Sequence, residues 1–400
     1  MSDETQFSMA ASKKRTGTDI FRCVYLYYRQ DYSRTFIGSS FMALTIGSFN
    51  LCNFSSNEDR KFLKDYGAIA NAILLSGADV IALQEVIDQR AIDSLLNQLR
   101  RFGGVNRDWR GFFDKKQTWR NNREGYAFLW DEKCVTFARD DDGNEVLPEL
   151  VTKFTSIKRP PMVARFVTTG LGELHYELCV INTHIVFKPD GYQSLHPEWY
   201  GGAAIRAFEY SKIVNSVYPR FSNKHCTYTI IAGDYNLKSS MLALVNARPK
   251  LSKRQPTMMS VQSDKTTIKA IDSMIDDTRE SKGSKPDNIG LFAAIYNGVM
   301  RLFKNGESVG RSPSQLADKQ EQTENAETQQ PTVDGTYVSD YDHFSFEVGR
   351  VGDYVKNAHR VNAPELLYPT PSRMFHSYKE GVSDHVPIAA TLDLSASQSL

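Results

Sequence analysis

The chain has few cysteines, almost no net charge and no long apolar run. Among its 400 residues the five cysteines are scattered and form no CxxC pair, which argues against a disulfide framework and a structural zinc site. The net charge is +1, so no large basic field indicates nucleic acid, although an enzyme that cleaves nucleic acid needs only a local basic groove. The 41% hydrophobic and 24% charged content is typical of a globular protein.

Membrane segments are also missing from the sequence. A transmembrane helix needs about 20 consecutive apolar residues, and no segment provides them. Near the N-terminus, Asp19, Arg22 and Gln30 interrupt the apolar residues, so the core of a signal peptide is not available either. We therefore expect a cytoplasmic protein with reduced thiols and no transmembrane segment.

The chain alternates between strand-like and helix-like patterns. Short apolar runs rich in β-branched residues indicate buried strands at residues 43–50, 79–86, 174–184 and 228–234. Apolar residues at helical spacing predict helices near residues 62–73, 92–99 and 210–217. The run that follows Arg159 is predicted to be an edge strand, because Pro160 and Pro161 cannot donate ladder hydrogen bonds.

Polar side chains stand at the ends of these strands and in the C-terminal part of the chain. They are Asn50, Glu85, His184, Asp234, Asn236, Asp342, Asp384 and His385. A lone Asn or Asp is more often a turn residue or a cap, and a lone His is more often a satisfied polar residue. Together, carboxylates suit Mg²⁺ or Mn²⁺, histidines beside carboxylates suit proton transfer, and amides can hold phosphate oxygens. The set favours metal-assisted hydrolysis of a phosphate ester.

Six ordered motifs resemble the endonuclease/exonuclease/phosphatase superfamily, and most of all its deoxyribonuclease I-like branch. They are Ser-Phe-Asn50, Leu-Gln-Glu85-Val, Asn-Thr-His184, Gly-Asp234-Tyr-Asn236, Tyr-Asp342-His-Phe and Ser-Asp384-His385. The resemblance covers residues 44–395 apart from one predicted insertion. It implies an α/β fold, a four-layer sandwich of two packed mixed β-sheets flanked by helices.

On the metal side, the resemblance implies that Asn50 and Glu85 bind the ion and position the phosphate. Asp384 would be a further carboxylate beside the metal. The implied cofactor is Mg²⁺, with Mn²⁺ as a possible substitute.

On the catalytic side, the resemblance implies that Asp234 and His385 orient and activate the attacking water. Asn236 would hold a phosphate oxygen, Asp342 would orient His385, and His184 would be an acid or hydrogen-bond donor at the scissile phosphate. A histidine at this position resembles the deoxyribonuclease I, sphingomyelinase and distending-toxin members, whereas abasic-site endonucleases carry tyrosine. Abasic-site repair is therefore disfavoured.

Two positions depart from the family pattern. Tyr235 stands where phenylalanine is commoner, a change that we expect to be harmless. Asp287, in Lys-Pro-Asp-Asn-Ile, competes with Asp342 for the position that orients the histidine. We favour Asp342, because Asp287 would leave a much longer gap before Asp384 than the family usually shows.

The predicted organisation has one catalytic domain in two parts. It comprises residues 41–269 and 337–395, after an N-terminal extension at 1–40 and before a tail at 396–400. Residues 270–336 are predicted to be an insertion, disordered in part because the polar, repetitive run at 320–330 cannot build a core.

One apolar stripe within the insertion has helical spacing. Its members are Phe292, Ile295, Tyr296, Val299 and Phe303. We expect this helix to cover the catalytic domain; contact with a protein partner or a membrane surface are the alternatives. The tyrosine-rich N-terminal segment is a second candidate contact for a protein partner.

The leading functional hypothesis is a Mg²⁺-dependent phosphodiesterase that acts on nucleic acid, as a DNA endonuclease. It draws on a basic and aromatic stretch that can contact phosphates and stack on bases. The stretch contains Arg101, Arg107, Arg110, Lys115, Lys116, Arg120 and Arg123 with Trp109, Phe112, Phe113 and Trp119. A phosphoesterase of lipid headgroups or small phosphorylated molecules is the alternative, and an inactive regulatory binding module is a further one.

Overall fold

A computed structural model describes residues 43–57, 63–114, 124–154, 156–169, 175–187, 202–222, 228–247, 256–261, 264–270 and 333–394. The predicted N-terminal extension, the tail at 396–400 and residues 271–332 of the predicted insertion lie outside these ranges. So does the apolar stripe at 292–303, and the interpretations that rest on these segments stay predictions.

Fifteen strands occur in the described residues. They are β1 (Ala43–Phe54), β2 (Val80–Val86), β3 (Trp109–Asp114), β4 (Gly125–Asp131), β5 (Val135–Phe137), β6 (Glu149–Leu150), β7 (Met162–Thr168), β8 (Glu177–His184), β9 (Tyr228–Asp234), β10 (Met258–Val261), β11 (Thr267–Ala270), β12 (Gly335–Ser339), β13 (Asp342–Glu347), β14 (Val355–Arg360) and β15 (Ile388–Asp393). The strands predicted at 43–50, 79–86 and 228–234 correspond to β1, β2 and β9.

These strands form two large mixed sheets and one small ribbon. The first sheet has the order β14-β15-β1-β2-β4-β3, and the second has the order β10-β13-β9-β8-β7-β5, with β6 paired to β7. The pairs β1–β2 and β8–β9 are parallel, whereas their neighbours are antiparallel. Strands β11 and β12 pair with each other, so Ala270, the last described residue before the gap, lies opposite Gly335, close to where the described chain resumes at residue 333.

Helices cover the outer faces of both sheets. They are α1 (Tyr66–Leu75), α2 (Gln89–Gly103), α3 (Gly202–Lys212), α4 (Tyr218–Ser222), α5 (Ser239–Asn246), α6 (Ala363–Leu367) and α7 (Met374–Gly381), with a π-helical turn at Ile213–Val217 between α3 and α4. Within the ranges that the structure describes, no helix is long and apolar enough to cross a membrane.

Three apolar cores hold the layers together. The central core joins the sheets, with Ile46 and Phe128 of the first packed in one cluster with Phe166 and Ile230 of the second. A second core lies between the first sheet and helices α1, α2, α6 and α7. A third lies between the second sheet and helices α3 and α4. The predicted four-layer sandwich is confirmed.

The prediction of an edge strand after Arg159 is wrong. Strand β7 lies inside the second sheet, with β8 on one side and β5 and β6 on the other. Both prolines precede the first strand residue, Met162. Their missing N–H groups therefore leave the ladder intact.

The basic and aromatic stretch is used structurally where the structure describes it. Trp109 begins β3 and is fully buried in the core. Arg107 lies 3.1 Å from Asp79 and 3.6 Å from Asp131, and Arg110 lies 2.7 Å from Glu132. Residues 109–114 of this stretch thus form strand β3, and both Arg107 and Arg110 are paired with carboxylates of the protein itself. Arg101 lies in α2. Residues 115–123, with Lys115, Lys116, Trp119, Arg120 and Arg123, lie outside the described part.

Candidate active site

The ends of both sheets meet at the predicted site. His184 and Asp234 end the parallel strands β8 and β9 and are Cα partners, and Asp342 begins β13 opposite Asp234. Asn50 lies in β1 of the other sheet. All four side chains are buried. Side chains alternate between the two faces of a strand, so these residues continue the inward-facing positions that fill the central core.

Asn50 connects the two sheets through its amide. The Nδ2 group donates to Oε1 of Glu85 at 3.1 Å and to Oδ2 of Asp234 at 3.0 Å. Its Oδ1 accepts a hydrogen bond from the backbone of Cys52. A neutral donor therefore holds two carboxylates from different sheets close together, where two acids alone would repel each other.

Glu85 enters the site through an irregular backbone. Alternation in β2 would turn it outward with Leu83, but Glu85 has a φ of +59° and the pairing with β1 and β4 shifts register around it. On β1, Cys52 and Asn53 also have positive φ, and the backbone N–H of Asn53 donates to Oε2 of Glu85 at 2.9 Å. Backbone strain of this kind is concentrated at functional sites.

A buried chain of three side chains runs from Asp342 to Asp234. Nδ1 of His385 lies 2.7 Å from Oδ2 of Asp342, and its Nε2 lies 3.7 Å from Oδ2 of Asp234. Burial opposes a charge on His385, but Asp342 and Asp234 outweigh it and raise its pKa well above the ordinary value. His385 is therefore an imidazolium near neutral pH. Asp287, the competing residue, lies outside the described ranges.

Asp234 is the centre of the cluster. Its Oδ1 accepts from the backbone of Asn236 at 2.8 Å, and its Oδ2 lies 3.7 Å from Nε2 of both His184 and His385. Burial raises the pKa of the Asp234 carboxyl, and the Asp342 charge adds to this, although His385 opposes it. The raised pKa makes Asp234 a stronger proton acceptor than an exposed carboxylate.

Asn236 is fixed by the protein itself. Its backbone has a φ of +49°, and its Nδ2 donates to the carbonyl of Ile185 at 2.8 Å. The preceding residue, Tyr235, is fully buried, and its hydroxyl donates to the Ile231 carbonyl. The tyrosine hydroxyl therefore has a hydrogen-bond partner in strand β9, which directly precedes it.

Two residues near His184 were not identified from the sequence, Arg159 and Glu124. Nη1 of Arg159 lies 2.5 Å from Nδ1 and 2.7 Å from Nε2 of His184, and its Nη2 lies 2.9 Å from Glu124. Burial lowers the pKa of His184 well below its ordinary value, and the charges of Arg159 and His385 lower it further. His184 is therefore neutral near pH 7.

The pairing of β7 with β8 is what places Arg159 near His184. Met162 pairs with Asn182 in the antiparallel ladder of β7 and β8. Counting back from that pair carries Arg159 past the His184 end of β8. Sequence alone did not give this register.

Glu85 has further acidic groups around it that could hold a metal ion. Ligand atoms of Glu85, Glu124 and His184 all lie within 4.8 Å of one another, as do those of Asp234, Asp342 and His385. Burial raises the pKa of Glu85, and the charges of Glu124 and Asp384 add to it. Crowded carboxylates with an amide beside them fit a hard divalent cation.

Cys52 adds no soft ligand to this set. Burial, together with the charges of Asp384 and Glu85, raises the pKa of its thiol to about 12. The thiol is therefore protonated near neutral pH, and a thiolate is what zinc would prefer. The carboxylates of Glu85 and Glu124 and the imidazole of His184 remain as the ligand groups of this cluster.

Comparison with known proteins identifies the family. A model described as "Endonuclease/Exonuclease/phosphatase family" matches residues 47–385. No curated protein matches the chain.

Similar solved structures include a family protein from Bacteroides thetaiotaomicron, with 11% identity over 88% of this chain and 97% of that one and a TM-score of 0.42. ANGEL2, a 2',3'-cyclic phosphatase solved with adenosine-2',3'-vanadate, has 12% identity over 88% and 96% of the two chains and a TM-score of 0.44. TDP2 from C. elegans has 12% identity over 98% and 99%, and a TM-score of 0.41.

The family match extends over most of the chain. It begins three residues before Asn50 and ends on His385, so all eight predicted site residues lie within it. The chain belongs to the endonuclease/exonuclease/phosphatase family, a family of phosphoester hydrolases.

Proposed function

We propose that this protein is a Mg²⁺- or Mn²⁺-dependent phosphodiesterase that hydrolyses nucleic acid, with DNA as its substrate. One observation carries the proposal: the Asp342–His385 pair and the Arg159–His184 pair both converge on Asp234 at the junction of the two sheets. A proton acceptor with cationic and neutral donors on either side is the arrangement that water attack on a phosphorus atom requires.

Asp234 is the group that takes the proton from the attacking water. His385, held as an imidazolium by Asp342, presents Nε2–H to the phosphate oxygen that gains negative charge during the attack. Oδ1 of Asp342 is buried and has no hydrogen-bond partner among the described residues, so it can accept one more hydrogen bond. Asn236 remains our candidate for a phosphate-oxygen contact.

His184, whose Nε2 also lies 3.7 Å from Oδ2 of Asp234, acts together with Arg159. Because His184 is neutral near pH 7, it serves as a hydrogen-bond donor to the leaving oxygen and not as a strong acid. The P–O bond to that oxygen breaks as the water oxygen bonds to phosphorus, and the leaving oxygen takes its proton from solvent. The Arg159 guanidinium supplies the positive charge there. Its Nη2 lies 2.9 Å from Glu124, and its Nε is buried and without a hydrogen-bond partner in the described part of the chain.

Glu85, Asn50 and Asp384 are the residues that would hold the divalent cation, and Glu124 is an additional candidate. When bound, the cation neutralises phosphate charge and polarises a phosphoryl oxygen. Asn50 keeps Glu85 and Asp234 in fixed positions through its two hydrogen bonds. The Asn53 amide holds the second Glu85 oxygen.

The sequence that precedes Glu124 supports a nucleic-acid substrate. Glu124 contacts Arg159, and the residues just before it include Lys115, Lys116, Arg120 and Arg123 with Trp119. We take this basic sequence as support for a nucleic-acid substrate, because backbone phosphates on either side of a scissile bond would need cations.

One activity panel tests the proposal. Plasmid DNA, single-stranded DNA, RNA, phosphoinositide vesicles and sphingomyelin vesicles are incubated with the protein and Mg²⁺ or Mn²⁺. We expect nicked plasmid with the wild type, and a loss of about 10³-fold in rate for Asp234→Ala and 10²-fold for His184→Ala. His376→Ala, which removes a half-exposed histidine on α7, is the matched control and should retain full activity.

Each outcome of the panel assigns a function. Hydrolysis of only the lipid substrates would replace DNA with a lipid headgroup. No turnover of any substrate, with wild type and Asp234→Ala indistinguishable, would overturn the proposal and leave a binding module.

A further inference from the structure

Glu209 is a buried carboxylate that the proposed chemistry does not use. It lies on α3 with only 2% of its surface exposed. Its Oε1 accepts a hydrogen bond from the backbone N–H of Lys158 at 2.6 Å and a longer one from that of Arg159 at 3.4 Å. Burying a carboxylate costs free energy unless it is well hydrogen-bonded. The burial of Glu209 on α3 therefore indicates that its two hydrogen bonds have a role in the protein.

The segment that Glu209 holds cannot be held by a sheet. Pro160 and Pro161 follow Arg159 and have no N–H to donate, and β7 begins only at Met162. The amides of Lys158 and Arg159 are the donors available just before the prolines. One carboxylate from α3 accepts from both.

Arg159 extends from this segment to the site. Nη1 contacts both ring nitrogens of His184, and Nη2 forms an ion pair with Glu124 at 2.9 Å. Only the backbone of Arg159 touches Glu209 in these hydrogen bonds. The Glu209 carboxylate therefore fixes the position of the Arg159 backbone, from which the guanidinium extends. Among the hydrogen bonds described, Glu209 makes no direct contact with His184.

We propose that Glu209 is a positioning residue for the reaction, which acts through Arg159. By fixing the amides of Lys158 and Arg159, it sets the depth to which the guanidinium reaches beside His184. The kinetic part of this inference rests on the proposed function, since Arg159 must face the substrate phosphate. A carboxylate that merely stabilised the turn would change stability without acting through Arg159.

A double-mutant cycle separates these two roles. Glu209→Ala, Arg159→Ala and the double variant are assayed with bis(p-nitrophenyl) phosphate and Mn²⁺, and kcat and KM are measured apart. We expect Glu209→Ala to lower kcat/KM about tenfold in the wild-type background, because small misplacements of catalytic groups are costly. In the Arg159→Ala background it should lower kcat/KM less than about twofold, because coupled residues are not additive.

The conservative variant is the matched control. Glu209→Gln keeps an oxygen that can accept from Lys158, so kcat/KM should stay within about threefold of the wild type. If Glu209→Ala does not fold, Glu209→Asp replaces it in the cycle, because its shorter side chain withdraws the carboxylate from both amides. Equal losses in the two backgrounds, or unchanged kinetics in a folded variant, would overturn the proposal.

A crystal structure of the Glu209→Ala or Glu209→Asp protein tests the same point without turnover. We expect the Arg159 guanidinium to leave His184. A guanidinium that stays in contact with both ring nitrogens would refute the positioning role. Wild-type protein without any phosphodiesterase activity would sink the proposed function instead, and the crystal structure would still decide whether Glu209 positions Arg159.

Discussion

Gly233 and Thr183 lie so close together that a Cβ on Gly233 would stand 1.8 Å from the Thr183 carbonyl oxygen. The two residues are Cα partners in the parallel pairing of β8 and β9, one position before His184 and Asp234. Gly233 has a φ of +153°, a backbone conformation that residues with a side chain rarely adopt. The missing side chain therefore allows the two strands to present His184 and Asp234 next to each other.

Replacing Gly233 by alanine should disrupt this strand pair. We expect Gly233→Ala to lower the free energy of unfolding by more than about 3 kcal/mol, because neither backbone can move without breaking the ladder. Urea denaturation measures the loss. Gly349→Ala is the control, since a Cβ at this exposed glycine meets nothing within 4 Å, and it should change stability by less than about 0.5 kcal/mol. Equal stability of the two variants would contradict the steric argument.

Thr266 connects the two halves of the Asp342–His385 pair. Its Oγ1 lies 3.3 Å from the backbone nitrogens of both Tyr341 and Asp342, and its carbonyl accepts from Val386 at 3.0 Å. The next residue forms an isolated β-bridge with His385. This fully buried threonine thus lies between the strand that carries Asp342 and the turn that carries His385.

Loss of the Thr266 hydroxyl should weaken catalysis as well as stability. We expect Thr266→Val to lower kcat about tenfold and the free energy of unfolding by about 1–3 kcal/mol, because two buried amides lose an acceptor. Thr266→Ser keeps the hydroxyl and should retain kcat within about twofold of the wild type. Steady-state kinetics and thermal unfolding of the two variants measure both effects. A Thr266→Val protein with wild-type kcat would show that the pair does not depend on this clamp.

The inward-facing residues of the site could be predicted because strand periodicity is local. Once β8 and β9 are recognised as buried strands that end in polar residues, alternation places His184 and Asp234 on one face. The order of the motifs then indicated the four-layer fold. Asn50 and Asp342 follow the same rule in β1 and β13.

The remaining residues depend on tertiary contacts that periodicity does not contain. Glu85 points into the site only because its backbone has a positive φ at a register shift. Arg159 belongs to the site through the register of β7 against β8. Trp109 resembled a stacking residue beside basic neighbours, but it is fully buried at the start of β3. In each of these cases the pairing of distant segments decides.

Glu209 should make stability depend on pH. Burial raises the pKa of Glu209 from 4.5 to about 7 in the folded protein. The folded state then binds more protons than the unfolded state between these values, so this residue's contribution to stability falls as the pH rises through that window. Glu209→Gln has no such proton to lose. We expect its stability advantage over the wild type to grow by up to about 3 kcal/mol between pH 4.5 and pH 8.

Urea denaturation of both proteins at the two pH values measures this difference, and the comparison cancels the titration of other groups. Glu149→Gln changes an exposed carboxylate and should run parallel to the wild type. A constant gap between wild type and Glu209→Gln would show that Glu209 titrates at its ordinary pKa.

The Glu85 carboxylate should destabilise the metal-free protein and should bind the metal ion. Its pKa is raised by burial first and then by the charges of Glu124 and Asp384, so in metal-free buffer the ionised Glu85 opposes folding at neutral pH. Glu85→Gln removes that charge, and we expect a higher unfolding temperature in the presence of EDTA.

Mg²⁺ should stabilise the wild type by about 2.7 kcal/mol at a hundredfold excess over its Kd, and Glu85→Gln by far less. Thermal unfolding with and without Mg²⁺ decides between these states. An equal Mg²⁺ shift in both proteins would place the ion away from Glu85, and a lower unfolding temperature for the variant in EDTA would mean that the carboxylate stabilises the metal-free fold.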